Sequence, residues 1–166
     1  MKMGTTDGPS KFIEDILKVH NQYRAIHSSP PLRIDEKLNE RARQLARSLA
    51  RDAEALRETV PYGENVYVGA GYPDWKTRPE EPVQLWYQES SNYDYEASRP
   101  ANLADVRNFT QLVWKDSRLI GVGVITGPEC KVYLVCSYEP SGNVDGEFRR
   151  NVAPPKEVRI NGGFGR

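Results

Sequence analysis

The sequence predicts an α+β fold in which helices pack against an antiparallel sheet. Helix-like segments fill the first two thirds of the chain, and two stretches rich in β-branched residues, 119–127 and 131–140, follow them. Helices and strands that segregate along a chain in this way are typical of α+β domains. At 166 residues, the chain has the length of one domain with a core of its own.

The first predicted helix covers residues 11–27. Its apolar positions recur at helical spacing and form one face, which comprises Phe12, Ile13, Ile16, Val19, His20, Tyr23 and Ile26. Ser10 is the predicted N-cap. The prolines of "SSPPL" end the helix, because proline cannot continue it and restricts the residue before it.

The second predicted helix covers residues 35–57. Its apolar stripe consists of Leu38, Ala42, Leu45, Leu49, Ala53 and Leu56. Many arginines lie between these positions, but acidic residues alternate with them, so we interpret the outer face as solvated and ion-paired. The chain has 23 basic and 23 acidic residues, which removes any bulk electrostatic reason to bind nucleic acid or an anionic membrane.

Turn residues and helix-start residues in the sequence predict the remaining helices and strands. The segment "YGENVYVGAGY" is predicted to be extended, and a third helix opens at "RPEE", residues 78–81, and continues through Tyr87. The stretch "SSNYDYEASRPAN" is a loop, and a fourth helix covers residues 103–114. The two final strands form a hairpin that turns at Gly127, Pro128 and Glu129.

The ends of the chain differ in composition from its centre. We expect a flexible N-terminus at residues 1–9, a folded domain at 10–152 and a partly ordered tail, rich in proline and glycine, at 153–166. The segment "MKMGTTDGPS" has no apolar stretch that could act as a signal peptide. No apolar run approaches the roughly 20 residues that a membrane helix needs.

The chain has two cysteines, Cys130 and Cys136, and both lie in the second strand of the hairpin or at its start. Six residues of extended chain span about 20 Å at roughly 3.3 Å per residue. A disulfide needs Cα atoms within about 7 Å. We therefore expect two free thiols, which fit a reducing compartment.

Five phrases in order resemble the CAP superfamily, which contains cysteine-rich secretory proteins, antigen 5 allergens and plant pathogenesis-related class 1 proteins. They are "HNQYRAIHSSPPL", "YGENVY", "LWYQESSNYDY", "NFTQLVWKDSRLIGVGV" and "YLVCSYEPSGNV", and the resemblance covers residues 10–155. The chain looks most similar to the Golgi-associated intracellular branch, a type that includes venom-allergen-like proteins of parasitic worms. The resemblance implies a three-layer α-β-α sandwich with an antiparallel central sheet and a large cleft.

In that family, two glutamates and two histidines line the cleft, and the histidines often hold zinc. The resemblance carries the glutamates over to Glu64 and Glu89, and the second histidine position falls on Asn108. The first falls near Arg57 or Glu58, where the chain has no histidine. An all-oxygen set suits magnesium or calcium better than zinc and binds them weakly. We expect no metal and no cofactor, and a structural role for both glutamates as acceptors of hydrogen bonds.

The chain has two histidines, His20 and His27, both on the first predicted helix. Seven residues of helix separate them by about 10.5 Å at roughly 1.5 Å per residue. Both therefore cannot hold one ion with bonds of about 2 Å. We interpret His20 as a buried histidine that forms hydrogen bonds with the scaffold.

The resemblance implies a non-catalytic binding or scaffold protein with a lipid or protein partner. Sterol-binding members of the family carry an aromatic-rich loop between the third and fourth helices. Here Tyr93 and Tyr95 are present, but Pro100 stands where a further aromatic residue is expected. Fatty acid is therefore favoured over sterol, and nucleic acid is not expected as a partner.

Two alternative functions stay open. One is a hydrolase that uses the paired glutamates as acid and base, although Ser90 and Ser91 have no histidine beside them in sequence. The other is an acylated protein at the membrane periphery, although glycine follows Met3 and Gly8 stands where the motif needs serine or threonine. We expect an intracellular, cytoplasmic location, with the cytosolic face of membranes included. The oligomeric state stays open, with a dimer among the options.

Overall fold

The computed structural model describes residues 7–52, 63–71, 75–157, 159–160 and 163–164. The helices are α1 (Asp7–Ile26), α2 (Glu36–Arg51), α3 (Glu80–Gln88), α4 (Arg107–Val113) and α5 (Phe148–Asn151). The strands are β1 (Arg33–Ile34), β2 (Glu64–Ala70), β3 (Leu119–Thr126), β4 (Lys131–Glu139), β5 (Arg159–Ile160) and β6 (Gly163–Phe164). Short 3₁₀ turns occur at Trp75–Thr77, Glu89–Asn92, Leu103–Asp105 and Pro128–Cys130.

The main sheet has the strand order β1-β3-β4-β2. Strand β4 pairs antiparallel with β3 on one side and with β2 on the other, and Glu64 lies opposite Ser137. The predicted hairpin of β3 and β4 is therefore confirmed. The short strand β1 was not predicted; it pairs parallel with β3 through its two residues and makes the sheet mixed at that edge.

Helices cover both faces of the sheet, which confirms the predicted α-β-α sandwich. Helix α2 packs on one face, where Ala42, Ala46 and Leu49 contact Tyr133 and Val135. The glycines of "GVG" in β3 allow this close approach, because a Cβ on Gly121 would lie 2.0 Å from the backbone carbonyl carbon of Leu38. Helices α1, α3 and α4 cover the other face around a larger core. That core includes Ile16, Val83, Phe109, Leu112, Trp114 and Leu134.

Two predicted helix limits are wrong, the start of α1 and the end of α2. Helix α1 begins at Asp7, so the N-cap predicted at Ser10 lies inside the helix. Helix α2 begins after Asp35, whose carboxylate accepts a hydrogen bond from the Leu38 amide at 3.0 Å, but it ends at Arg51 and not at 57. Asp52 leaves the helix with φ −152° and ψ 84°. The sequence signalled no stop there, since neither glycine nor proline occurs between 52 and 60 and the apolar stripe continues.

The predicted fourth helix divides into a 3₁₀ turn and α4. Val106, with φ −135° and ψ −2°, interrupts helical geometry between them. Residues 1–6 of the predicted flexible N-terminus lie outside the described residues. In the predicted tail, the Lys156 amide donates a hydrogen bond to the Ile26 carbonyl at 2.8 Å, and β5 pairs antiparallel with β6.

Candidate functional site

Glu89 lies at the end of α3 and caps the start of α4. Its Oε1 accepts hydrogen bonds from the backbone amides of Asn108, at 2.9 Å, and Phe109, at 3.1 Å. Its Oε2 accepts one from the Asn108 side chain at 2.8 Å. Val106, the N-cap residue of α4, has no side-chain oxygen that could do this. The carboxylate therefore takes over the role of an N-cap side chain from another element of the fold.

Glu64 is buried on β2, and its contacts lie on the α2 side of the sheet. The Ser137 hydroxyl donates a hydrogen bond to its Oε2. Its Oε1 lies 3.0 Å from Nε of Arg41, a half-exposed residue of α2. Burial raises the pKa of Glu64 to about 7, although the contacts with Ser137 and Arg41 act in the opposite direction.

Asn65, the next residue along β2, faces the opposite side of the sheet, because successive side chains of a strand alternate. Its Nδ2 donates to the Asn108 carbonyl at 3.0 Å and to the Tyr138 hydroxyl at 3.3 Å. The structure thus brings Glu89 and Asn108 into direct contact and joins β2 to them through Asn65. In the described part of the chain, Glu64 and Glu89 share no hydrogen-bond partner.

Burial also raises the pKa of Glu89, although three hydrogen bonds from Asn108 and Phe109 favour its charged form. Every oxygen of the two glutamates therefore already accepts a hydrogen bond or an ion pair. Both carboxylates act as hydrogen-bond acceptors, each within its own set of contacts. The donors to Glu64 are the side chains of Ser137 and Arg41, whereas Glu89 accepts from two backbone amides and one side chain.

His20 is fully buried and has partners at both ring nitrogens, which confirms its predicted role in the scaffold. Its Nδ1 lies 2.8 Å from the Ile16 carbonyl, and its Nε2 lies 2.6 Å from the Tyr138 hydroxyl. Since a carbonyl oxygen can only accept a hydrogen bond, Nδ1 carries the ring proton and donates to Ile16. Nε2 then accepts a hydrogen bond from the Tyr138 hydroxyl. Burial lowers the pKa of His20 to about 4, so the ring is neutral at pH 7.

His27 is arranged in the same way at the end of α1. Its Nδ1 donates to the Ala153 carbonyl at 2.8 Å, and its Nε2 accepts from the Tyr87 hydroxyl at 2.8 Å. Burial lowers its pKa as well. Neither imidazole has a free nitrogen, so neither can act as a metal ligand or a general base in this arrangement.

The residues at this site do not fit the zinc set of the family. Asn108 donates its amide to Glu89, and both glutamates already have partners. Within the described ranges, no group of three or more His, Cys, Asp or Glu side chains could hold a metal ion. Arg57 and Glu58, the candidates for the first histidine position, lie outside the described residues.

Sequence reasoning missed four residues of this arrangement: Arg41, Asn65, Ser137 and Tyr138. Asn65 stood beside Glu64 in the "GEN" phrase, and alternation along a strand would have placed it on the other face. The other three come from α2 and β4 and depend on how β2 pairs with β4, for which the sequence carries no signal.

A surface groove of about 910 Å³ lies between the loop that follows α3 and the loop that precedes α5. Its lining runs along residues 92–106 and 141–148 and includes none of Glu64, Glu89 and Asn108. Tyr93 is buried against Phe109, with ring centroids 5.7 Å apart, and Tyr95 stacks on His27 at 6.3 Å. The two tyrosines of the sterol-loop resemblance therefore contribute to the core.

A second, smaller pocket of about 170 Å³ lies beside α1. It is lined mainly by apolar and aromatic side chains, with one charged pair: Phe12, Tyr67, Ala70, Trp75, Arg78, Glu81, Pro82, Val132 and Leu134. Arg78 and Glu81 form an ion pair with 3.3 Å between Nη1 and Oε1. None of the helices in the described part of the chain has the length and apolar character needed to cross a membrane.

Residues 17–138 match the sequence profile of the CAP family, described as the cysteine-rich secretory protein family. The human Golgi-associated plant pathogenesis-related protein 1 is 32% identical over 155 residues, which cover 89% of this chain and 96% of that protein. The secreted protein RBT4 of Candida albicans is 33% identical over 146 residues, which cover 82% of this chain and 37% of that protein.

The crystal structure of NaASP2 with Zn²⁺ superposes on this fold with a TM-score of 0.71. The superposition covers 93% of this chain and 92% of that one, at 17% sequence identity. At this identity, the similarity concerns the fold.

Proposed function

The chain belongs to the cysteine-rich secretory protein family, and we propose that it is a non-catalytic member that binds the acyl chain of a lipid. The observation that carries the proposal is the apolar pocket beside α1. A pocket of about 170 Å³ is smaller than the roughly 300–1,000 Å³ of sites for drug-sized ligands. It suits one end of a narrow hydrocarbon chain better than the fused rings of a sterol.

The lining chemistry supports the same ligand. Phe12, Trp75, Val132 and Leu134 provide apolar surface from α1, a 3₁₀ turn and β4. Each methylene that moves from water into such a surface contributes about 0.8 kcal/mol, so four of them contribute about 3 kcal/mol.

The absence of catalysis is supported by the glutamates and histidines of the described site. Glu64 accepts from Ser137 and Arg41, Glu89 caps α4, and both imidazole rings are engaged at both nitrogens. Glu64 contacts Ser137 and Arg41, whereas Glu89 contacts the start of α4, so the two carboxylates are not paired at one point as acid and base.

We also propose an intracellular location. The two cysteines are free thiols, Cys130 exposed and Cys136 buried, which fits a reducing compartment. The name of the human relative describes it as Golgi-associated, whereas that of the Candida albicans relative describes it as secreted. Fractionation of cells that express the natural protein, with detection in lysate and medium, tests this proposal; recovery only from the medium would refute it.

Titration with a fluorescent fatty acid analogue tests the binding function. We expect saturable binding by the wild-type chain and a loss of at least about tenfold in affinity for Val132→Phe, which fills the pocket. Val68→Phe is the matched control, because Val68 is exposed and does not line the pocket. Thermal unfolding checks that each variant folds, and Leu134→Phe provides a second filling variant.

Mass spectrometry of lipids that co-purify with the natural protein would identify the ligand. The proposed function would be refuted if the wild-type chain bound no acyl ligand. Equal binding by the wild type and both filling variants would place the ligand elsewhere.

A further inference from the structure

We propose that the groove between residues 92–106 and 141–148 docks an extended segment of a partner protein that carries arginine or lysine side chains. This inference goes beyond lipid binding and concerns a different surface. The groove has a volume of about 910 Å³, which lies within the range of about 300–1,000 Å³ for ligand sites. It lies between two loops at the surface, where a segment of another chain can reach it.

Hydrogen bonds hold both walls of the groove, and those of the wall before α5 are buried or partly buried. In the wall before α5, the Thr110 hydroxyl donates to Oδ1 of Asn143, and Nδ2 of Asn143 donates to the Arg107 carbonyl at 3.0 Å. The Gly142 amide donates to Oε1 of Gln111 at 2.8 Å. A surface that is already ordered loses little conformational entropy when a partner binds.

In the other wall, Asn102 caps a 3₁₀ turn by accepting a hydrogen bond from the Ala104 amide at 3.1 Å. The floor is apolar, because Tyr93, Val106 and Phe148 line it and are themselves buried. Val144 stands in the opposite wall with 48% of its surface exposed. An exposed branched apolar side chain beside a concave surface is a feature of protein interfaces.

The charged side chains that line the groove indicate which side chains a partner would carry. Three carboxylates line the groove, those of Asp94, Asp105 and Asp145, against one guanidinium, that of Arg99. In the part of the chain that the structure describes, none of these three carboxylates forms an ion pair. Other surface acids do: Glu40 pairs with Arg43. The Asp94 carboxylate accepts a hydrogen bond from the Glu96 amide at 2.9 Å, so Asp105 and Asp145 carry the argument. In a chain of zero net charge, carboxylates thus outnumber cations in the lining of this groove.

A partner that complements this lining has cationic side chains for the carboxylates and small apolar ones for Val144 and the floor. In an extended segment, alternate side chains point to opposite sides, so basic and apolar residues can meet the two kinds of lining in turn. Electrostatic complementarity of this kind gives specificity and speeds association, and it weakens as salt rises.

The test uses the full chain and a fluorescein-labelled octapeptide of alternating arginine and alanine, with anisotropy as the readout. The double variant Asp105→Asn with Asp145→Asn removes two charges from the groove and keeps the side-chain shape. The matched control, Glu14→Gln with Glu157→Gln, removes two exposed charges elsewhere and changes net charge equally.

We expect the groove variant to weaken peptide binding about tenfold and the control less than about twofold. We also expect no binding of an octapeptide of alternating glutamate and alanine. Equal weakening by the two double variants would overturn the proposal, because binding would then follow net charge alone. So would a dissociation constant above about 1 mM for the wild type. A third outcome would assign the groove to sterol and overturn the proposal. In that outcome, a fluorescent sterol binds to the wild type but not to Val144→Asp, and the arginine peptide does not bind.

Discussion

Replacing Glu64 by glutamine is expected to change how the stability of the protein depends on pH. Burial holds the pKa of Glu64 at about 7 in the folded chain, against 4.5 as its ordinary value. The folded state therefore binds a proton more tightly than the unfolded state. The stability that this provides is fully present below pH 4.5 and is lost as pH rises through 7. At 1.36 kcal/mol per unit, the loss between pH 4 and pH 8 is about 3 kcal/mol.

The assay is urea unfolding of wild type and Glu64→Gln at several values of pH between 4 and 8. Glutamine has no charge to lose, and its oxygen can still accept a hydrogen bond from Ser137 or Arg41. The difference in free energy of unfolding between the two proteins isolates the contribution of Glu64, because the contributions of the other titratable groups are the same in both and cancel. His20 is one of them: its lowered pKa makes its contribution fall as pH drops from about 6.5 to about 4, which is the opposite slope.

We expect the free energy of unfolding of wild type, relative to the variant, to fall by about 3 kcal/mol from pH 4 to pH 8. A flat difference would refute the reasoning, because the pKa would then be the same in both states. A difference that rises with pH would show that the ion pair with Arg41 outweighs burial. Glu14→Gln, at an exposed site of α1, serves as the control for the substitution of a glutamate by glutamine.

Four further predictions follow from the contacts described. Asn108→His alone should bind zinc no more tightly than about millimolar by calorimetry, because Glu89 is already occupied; a micromolar site would contradict this. One thiol, Cys130, should react in the folded chain and two after denaturation without reductant, since Cys136 is buried; a count of zero would mean a disulfide. Arg24→Met should destabilise the fold by about 3–5 kcal/mol in urea unfolding, because the buried guanidinium donates to four backbone carbonyls; a loss below about 1 kcal/mol would contradict this. Glu89→Ala should cost about 2–3 kcal/mol in the same assay and Glu89→Gln less, because glutamine still accepts at α4; equal losses would argue against capping.

The elements predicted well are those whose signals are local. The apolar faces of α1 and α2, and the β-branched run of the β3–β4 hairpin, are visible within single windows of sequence. Strand β1 was missed because two residues carry no periodicity, and it is a strand only through its pairing with β3. The end of α2 at Arg51 was missed because the apolar pattern of the sequence continues past Asp52, and residues 53–57 of the predicted helix lie outside the described residues.

The candidate site could be predicted only as far as the resemblance carried it. Glu64, Glu89 and Asn108 follow from their phrases, but the side chains that engage them lie far away in sequence. Ser137 reaches Glu64 across 73 positions because β2 and β4 pair in one particular register. A shift of that register by one residue would turn Ser137 to the other face of the sheet.

The structure gives a physical reason why a chain of this family can keep its glutamates without the metal-binding histidine. Glu89 bonds two backbone amides at the start of α4, and those amides are present whatever side chain stands at 108. The amide of Asn108 adds one N–H donor to the same carboxylate, as an imidazole N–H could do. The cap of α4 is therefore independent of zinc, and a change from histidine to asparagine can remove a metal ligand without removing what holds α3 to α4.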